Sequence, residues 1–294
     1  MSLHHEGTPA FKPAPLACDS HFHVFGPAEK YTYGTDLRYA PPHAPLEDFL
    51  ALAKHLGIER YVFVQPSAYG RDNACMLEAM REVGTARCRG IVDVDENAPD
   101  AELARLNALG VRGVRVNVSP IHPPTPGLAA KMLPRIERLN ARCAELGWQL
   151  DFLTPGWLTR ELMPTMRNLK VDFTVAHMGM FLAKDGVAQT GFQEYLALIR
   201  DLREGGPNGA RCWPKFTGTY RMSTAPGFKD VAPFARALIE AAPDRIIWGS
   251  DYPHLSFADK VGSVELFNLL ADWAPDAAVR QQILTDNPQN LFGF

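Results

Sequence analysis

Three short stretches of the chain carry residues whose types and spacing suit chemistry. The first is Asp19-Ser-His21-Phe-His23, the second Ala176-His177-Met178-Gly179, and the third Gly249-Ser-Asp251-Tyr-Pro-His254. In an extended segment residues i and i+2 point the same way, so His21 and His23 face one side together and Phe22 the other. Three imidazoles and a carboxylate can do two kinds of work. They can hold a divalent metal, or they can move a proton and polarise a carbonyl. Singly, each has a plainer explanation, because a histidine near a strand end is often a hydrogen-bonded structural group and an aspartate there often caps the next helix. A second set could set the substrate. Arg115 and Arg221 offer planar forks that match a carboxylate through two hydrogen bonds. Ser67, Asn117, Tyr39 and Tyr220 are further polar candidates. There is no Gly-x-Ser-x-Gly elbow, so a nucleophilic serine is not indicated.

The elements that must position these residues alternate regularly. Eight β-branched or apolar runs read as strands: Ala17–His23, Arg60–Gln65, Cys88–Val94, Val111–Val118, Trp148–Leu153, Val171–His177, Trp213–Gly218 and Arg245–Asp251. Runs such as Tyr61-Val-Phe-Val64 are apolar throughout, as expected of a parallel sheet covered on both faces. Between them lie amphipathic runs over Leu46–Leu56, Asn73–Val83, Ala98–Leu109, Leu128–Leu146, Glu161–Arg167, Phe192–Glu204, Asp230–Ala241 and Val264–Trp273. A tail helix over Asp276–Thr285 precedes Asn287-Pro288. Eight strand-then-helix units predict an α/β fold, a (β/α)8 TIM barrel, in one domain over 1–294 with an N-terminal extension over 1–16. An open doubly wound sheet is disfavoured, since no glycine-rich phosphate loop follows an early strand. In a barrel the chemistry gathers at the carboxyl ends of the strands. Each of the three stretches falls at such an end, as do the long loop Val24–Pro45 with its Tyr39 and the proline-rich loop Ser119–Pro126.

Composition narrows the role. Of 294 residues, 33 are acidic and 30 basic, a net charge of -3, so no basic excess exists to bind nucleic acid. Hydrophobic residues are 46% and charged residues 21%, ordinary for a globular chain. No run of about 18 apolar residues suggests a membrane span, and Met1 to Pro15 lacks the apolar stretch of a secretory signal. The five scattered cysteines form no CxxC pair and suggest reduced thiols in a cytoplasmic protein.

Taken together the motifs resemble the amidohydrolase superfamily, and within it the 2-pyrone-4,6-dicarboxylate lactonase group. The resemblance rests on His21-Phe-His23-Val-Phe-Gly-Pro27, Gln65-Pro66-Ser67, Arg112-Gly-Val-Arg115-Val-Asn117, His177-Met-Gly179, Gly218-x-Tyr220-Arg221-x-Ser223 and Asp286-Asn-Pro-x-x-Leu291-Phe-Gly293, and it spans nearly the whole chain. It implies hydrolysis of a small carboxylated lactone, with Asp251 as the base that activates water and with His21, His23 and His177 polarising the carbonyl. Amidohydrolases with two metal ions also use a lysine or glutamate on strand four and a histidine on strand five. Here those strands end in Arg115-Val-Asn117 and Asp151-Phe-Leu153, so no metal is expected to be required, with a single Zn²⁺ on His21, His23 and Asp251 as the alternative. In the lactonases two more arginines normally follow the motifs. This chain has Ile121 and Met180 in their places, which implies a substrate with one dominant carboxylate. The competing readings are an aromatic-acid decarboxylase with one divalent metal, a lactone isomerase, and a non-catalytic binding barrel.

Overall fold

The computed structural model describes residues 6–35 and 37–294, so the first five residues of the expected N-terminal extension lie outside it. The strands are β1 Cys18–Phe22, β2 Arg60–Val64, β3 Cys88–Val92, β4 Val111–Asn117, β5 Gln149–Leu153, β6 Phe173–Val175, β7 Cys212–Phe216 and β8 Ile247–Trp248. They form one sheet in chain order, the (β/α)8 barrel that the alternating runs predict. β1 with β2, β2 with β3, and β4 through β7 pair in parallel. The helices are α1 Leu46–Leu56, α2 Ala74–Val83, α3 Asp100–Ala108, α4 Leu128–Leu146, α5 Gly156–Met166, α6 Thr190–Asp201, α7 Thr219–Met222, α8 Ala232–Ala241, α9 Ser263–Trp273, α10 Ala277–Gln281 and α11 Asn287–Phe292.

By their contacts the residues divide into two compact units. Among the described residues one is 6–35, 37–93, Asp100–Val111 and Trp248–Phe294; the other is Val94–Pro99 and Arg112–Ile247. In the first unit Phe22 turns away from the histidines beside it and stacks on Phe49 of α1, ring centres 3.5 Å apart, with Phe63 of β2 at 4.5 Å. The alternation of β1 therefore sends its aromatic side chain into the layer between sheet and helix. The described part of the extension packs on α9, where Phe11 stacks on Phe267 and the Ala10 amide donates to Asn268 Oδ1 at 2.7 Å. Arg89 of β3 holds the end of the chain by donating to the carbonyls of Phe292 and Gly293. In the second unit Phe152 and Phe173 meet edge to face between β5 and β6, and Phe192 of α6 packs on Phe234 of α8.

Several boundaries differ from those expected. β6 stops at Val175 and β8 at Trp248, so His177 and Asp251 lie beyond their strands in left-handed backbone, with φ of 53° and 57°. Apolar runs cannot show where pairing ends when the following turn is equally buried. α5 begins at Gly156 rather than at Glu161, with Pro155 before it and Pro164 inside it. The tail does not stop before Pro288. After α10, which Asp276 caps by accepting from the Ala278 amide, one π turn over Gln282–Asp286 leads into α11. Proline is tolerated in a first helical turn because its missing N–H has no partner there anyway.

Candidate active site

In the first unit β1 and the segment after β8 are laced together by backbone. The Asp251 amide donates to the His21 carbonyl at 2.9 Å, and the His23 amide to the Tyr252 carbonyl at 2.9 Å. Asp19 reinforces the seam, since its Oδ1 accepts from the amides of both His21 and Ser250 at 3.0 Å. Burial pushes the Asp19 carboxyl up to about 7, against the pull of those hydrogen bonds. Gly249 permits this approach. A Cβ at that position would lie 2.6 Å from the His21 nitrogen, and backbone cannot move aside cheaply.

The seam brings three side chains together as the sequence pattern expected. His21 Nε2 stands 3.6 Å and His23 Nε2 3.7 Å from Asp251 Oδ1, and all three residues are buried. The two imidazoles meet edge to face at 5.1 Å. His23 Nδ1 lies 2.8 Å from the Val64 carbonyl. A carbonyl only accepts, so Nδ1 carries the proton and Nε2 is the atom turned to the carboxylate. A separation of 3.7 Å is too long for a hydrogen bond. A neutral ring would set its lone pair against the carboxylate charge, so the arrangement gains from positive charge between the groups, either a second ring proton or a cation.

The same triangle fits a metal. Among the described residues it is the one group of three or more His, Cys, Asp or Glu side chains able to hold an ion, and its donor atoms lie within 4.8 Å of one another. Bonds of about 2.0–2.2 Å to a tetrahedral ion would put donors about 3.3–3.6 Å apart, close to the two separations seen. The Nδ1 hydrogen bond of His23 is also the outer contact that orients a ligating histidine.

Two lesser candidates belong to this unit. Tyr39, from the long loop after β1, takes hydrogen bonds from the Ser67 hydroxyl at 3.4 Å and the Ala68 amide at 3.2 Å. The loop is thereby fixed onto the end of β2.

The second unit holds the remaining candidates. His177 is buried, and the Thr217 hydroxyl grips it twice, accepting from the His177 amide at 3.0 Å and bonding Nδ1 at 2.8 Å. The ring is thus oriented through its Nδ1 edge. Gly218 leaves room for it, because a Cβ there would lie 2.4 Å from Nδ1 and the residue sits at φ 56°. Arg115 is buried in β4, in register with Asp151 of β5, and Asn117 is half-buried at the strand end. Arg221 lies on α7 with its guanidinium 5.2 Å from the ring centre of the buried Tyr220. A further charged group appears beneath. Lys215 Nζ of β7 and Asp151 Oδ2 are 3.1 Å apart, both fully buried, and Thr174 of β6 donates to the other Asp151 oxygen at 3.0 Å.

The amidohydrolase family model matches residues 18–294, nearly the whole chain. The chain belongs to the amidohydrolase family. It is 38% identical over 281 residues to a 4-sulfomuconolactone hydrolase of Rhizobium radiobacter, covering 94% of this chain and 90% of that protein. It is 32% identical over 295 residues to a 2-pyrone-4,6-dicarboxylate hydrolase of Comamonas testosteroni, covering 97% and 92%. Among solved structures it matches a probable 2-pyrone-4,6-dicarboxylic acid hydrolase of Acinetobacter baumannii with citric acid bound, at a TM-score of 0.81 and 25% identity, over 95% of this chain and 100% of that one.

Sequence reasoning singled out His21, His23, His177 and Asp251 but missed four residues: Asp19 in the seam, Thr217 against His177, and the buried pair Lys215 and Asp151. Asp19 had a signal, since it shares the alternation of His21 and His23. Lys215 and Asp151 had one too, each a lone charge between apolar neighbours in a buried strand. Thr217 had none, because a threonine at a strand end is ordinary.

Proposed function

We propose that this amidohydrolase opens the ring of a small carboxylated lactone by adding water to its carbonyl. The observation that carries the reading is the buried His21–His23–Asp251 triangle, in a chain whose relatives at 32–38% identity are lactone hydrolases. A lactone carbonyl needs three things from a protein: a base for the attacking water, positive character at the oxyanion, and a proton for the departing ring oxygen. Asp251 takes the proton from water as its oxygen bonds the carbonyl carbon. His177, held by Thr217, and the imidazoles of His21 and His23 stabilise the oxyanion. As the intermediate collapses, the ring C–O bond breaks and the proton held by Asp251 passes to the leaving oxygen. The product is the open-chain hydroxy acid, which accounts for every atom of lactone and water. Arg115 and Arg221 receive the substrate's carboxylate, and Ser67, Asn117, Tyr39 and Tyr220 supply further polar contacts.

The reaction in this reading requires no metal. A second reading has its own support in the donor separations of the triangle: His21, His23 and Asp251 hold one divalent ion. Such an ion supplies a Lewis acid and lowers the pKa of water. Exhaustive chelation should leave turnover intact while elemental analysis shows the protein free of transition metal. Loss of activity on chelation, restored by Zn²⁺ or Mn²⁺, would establish the second reading.

Two further outcomes follow from the groups around the site. Thr217→Val keeps shape and removes both hydrogen bonds to His177, so kcat should fall about 10- to 100-fold, the usual effect of losing an outer orienting contact. Thr217→Ser should restore most of it, and equal activity in the valine and serine variants would show that the hydroxyl is idle. Arg221→Met removes a charged hydrogen bond of about 1.5–3 kcal/mol, so kcat/KM for an anionic lactone should fall roughly 10- to 150-fold. An unchanged kcat/KM would remove Arg221 from the substrate contacts.

A cytoplasmic setting suits the five cysteines, which are all buried and outside any disulfide bond. No described helix is long and apolar enough to cross a membrane.

A further inference from the structure

The second unit contains a cavity of about 450 Å³ that none of the roles above uses. Three loops build it: residues 120–124 after β4, Pro155–Trp157 at the start of α5, and residues 180–182 after β6. It thus lies past the carboxyl ends of three consecutive strands, the ends at which (β/α)8 enzymes do their chemistry. Met180 in its wall is three residues beyond His177, on the same left-handed turn.

Its walls are apolar: Ile121, Pro123, Pro124, Trp157, Met180 and Phe181. The polar groups that reach it are already engaged. Arg160 is held by both oxygens of Glu194, at 2.6 and 2.8 Å. Gln189 donates to the carbonyls of Leu182 and Gly186, and His122 Nδ1 bonds the Pro123 carbonyl. Asp185 has Lys184 at 3.8 Å. The Trp157 indole donates to the His122 carbonyl at 2.9 Å, which ties the proline-rich loop to α5 and spends the ring's one polar atom. The wall is also built to hold its shape. A Cβ at Gly156 would lie 2.5 Å from the Met180 carbonyl oxygen, and one at Gly191 2.8 Å from the Phe181 ring, so these glycines let the three loops close together.

A space of this size, with apolar walls and its cation neutralised, favours an uncharged group over an anion. We propose that this cavity receives an apolar substituent of the lactone, aryl or branched alkyl, so that the substrate class is a monoanionic lactone with a hydrophobic arm. This rests on the lactone-hydrolase reading.

The test compares 2-pyrone-6-carboxylate bearing hydrogen, phenyl or carboxylate at C4, with kcat/KM measured for each. The corresponding 2-pyridone-6-carboxylates, which are not opened, give binding by tryptophan fluorescence. The phenyl lactone should exceed the bare one by at least about tenfold, within the range that apolar pocket contacts discriminate, and the dicarboxylate should be poorest. Trp157→Ala should bring the phenyl-to-bare ratio close to one. Ile121→Arg places a cation at a position 89% exposed, where folding is not at risk, and should shift preference towards the dicarboxylate. Equal use and binding of the phenyl and bare compounds, or a wild-type preference for the dicarboxylate, would overturn the cavity assignment and leave lactone hydrolysis standing. Tight phenylpyridone binding, lost in Ile121→Arg, without opening of any lactone would sustain the cavity and sink the hydrolase reading. Neither binding nor turnover of any member would overturn both.

Discussion

Asp251→Asn should lower lactone hydrolysis at least about 100-fold while the protein stays folded. The loss follows from chemistry: an amide cannot take the proton of the attacking water, and general bases typically contribute 10²–10⁴. That the fold survives follows from the backbone. Asp251 sits at φ 57°, a conformation that asparagine adopts more readily than most residues. The bond from its amide to the His21 carbonyl does not involve the side chain. Circular dichroism and thermal melting should therefore match wild type while turnover disappears. Asp251→Ala is the poorer probe, because alanine tolerates the left-handed region less well. Turnover by Asp251→Asn at the wild-type rate would remove the aspartate from the mechanism.

Lys215→Met should cost about 3–5 kcal/mol of stability, the usual effect of removing one partner of a buried ion pair. Asp151 would keep its hydrogen bond from Thr174 but lose the charge 3.1 Å away, in a place where neither residue touches solvent. Replacing both, as in Lys215→Met with Asp151→Leu, leaves no uncompensated charge and should recover much of the loss. Denaturant unfolding of the two variants and of Asp151→Leu alone gives the coupling directly. If the single and double variants prove equally unstable, the pair does not act as a pair, and the cost lies in filling the space beneath the strand ends.

The parts of this arrangement that were legible in the sequence are those governed by strong periodicity. Eight apolar runs alternating with amphipathic ones led to the barrel, and the spacing of His21 and His23 led to two imidazoles on one side, where both now face Asp251. What escaped is local and three-dimensional. Strand patterns carried His177 and Asp251 inside their strands, whereas both stand in left-handed turns past Val175 and Trp248. The tail helix expected over Asp276–Thr285 is followed by α11, in which a proline in the first turn continues the helical path. Lys215 and Asp151 interrupt apolar strands and acquire meaning only when β5 and β7 are placed on either side of β6. Thr217 is silent until the fold sets its hydroxyl against His177. Periodicity identifies which face a residue takes. It does not tell which distant residue shares that face.

The most direct test of the account is hydrolysis itself. Purified protein should be given monoanionic and dianionic lactones in weakly buffered H₂¹⁸O, with acid release followed by pH-stat and the products by mass spectrometry. The account predicts one proton released per lactone consumed and one ¹⁸O in the new carboxylate, from attack of water on the carbonyl carbon. Release of CO₂ from an aromatic acid in place of lactone opening, or conversion of the lactone to an isomer without ¹⁸O uptake, would contradict it.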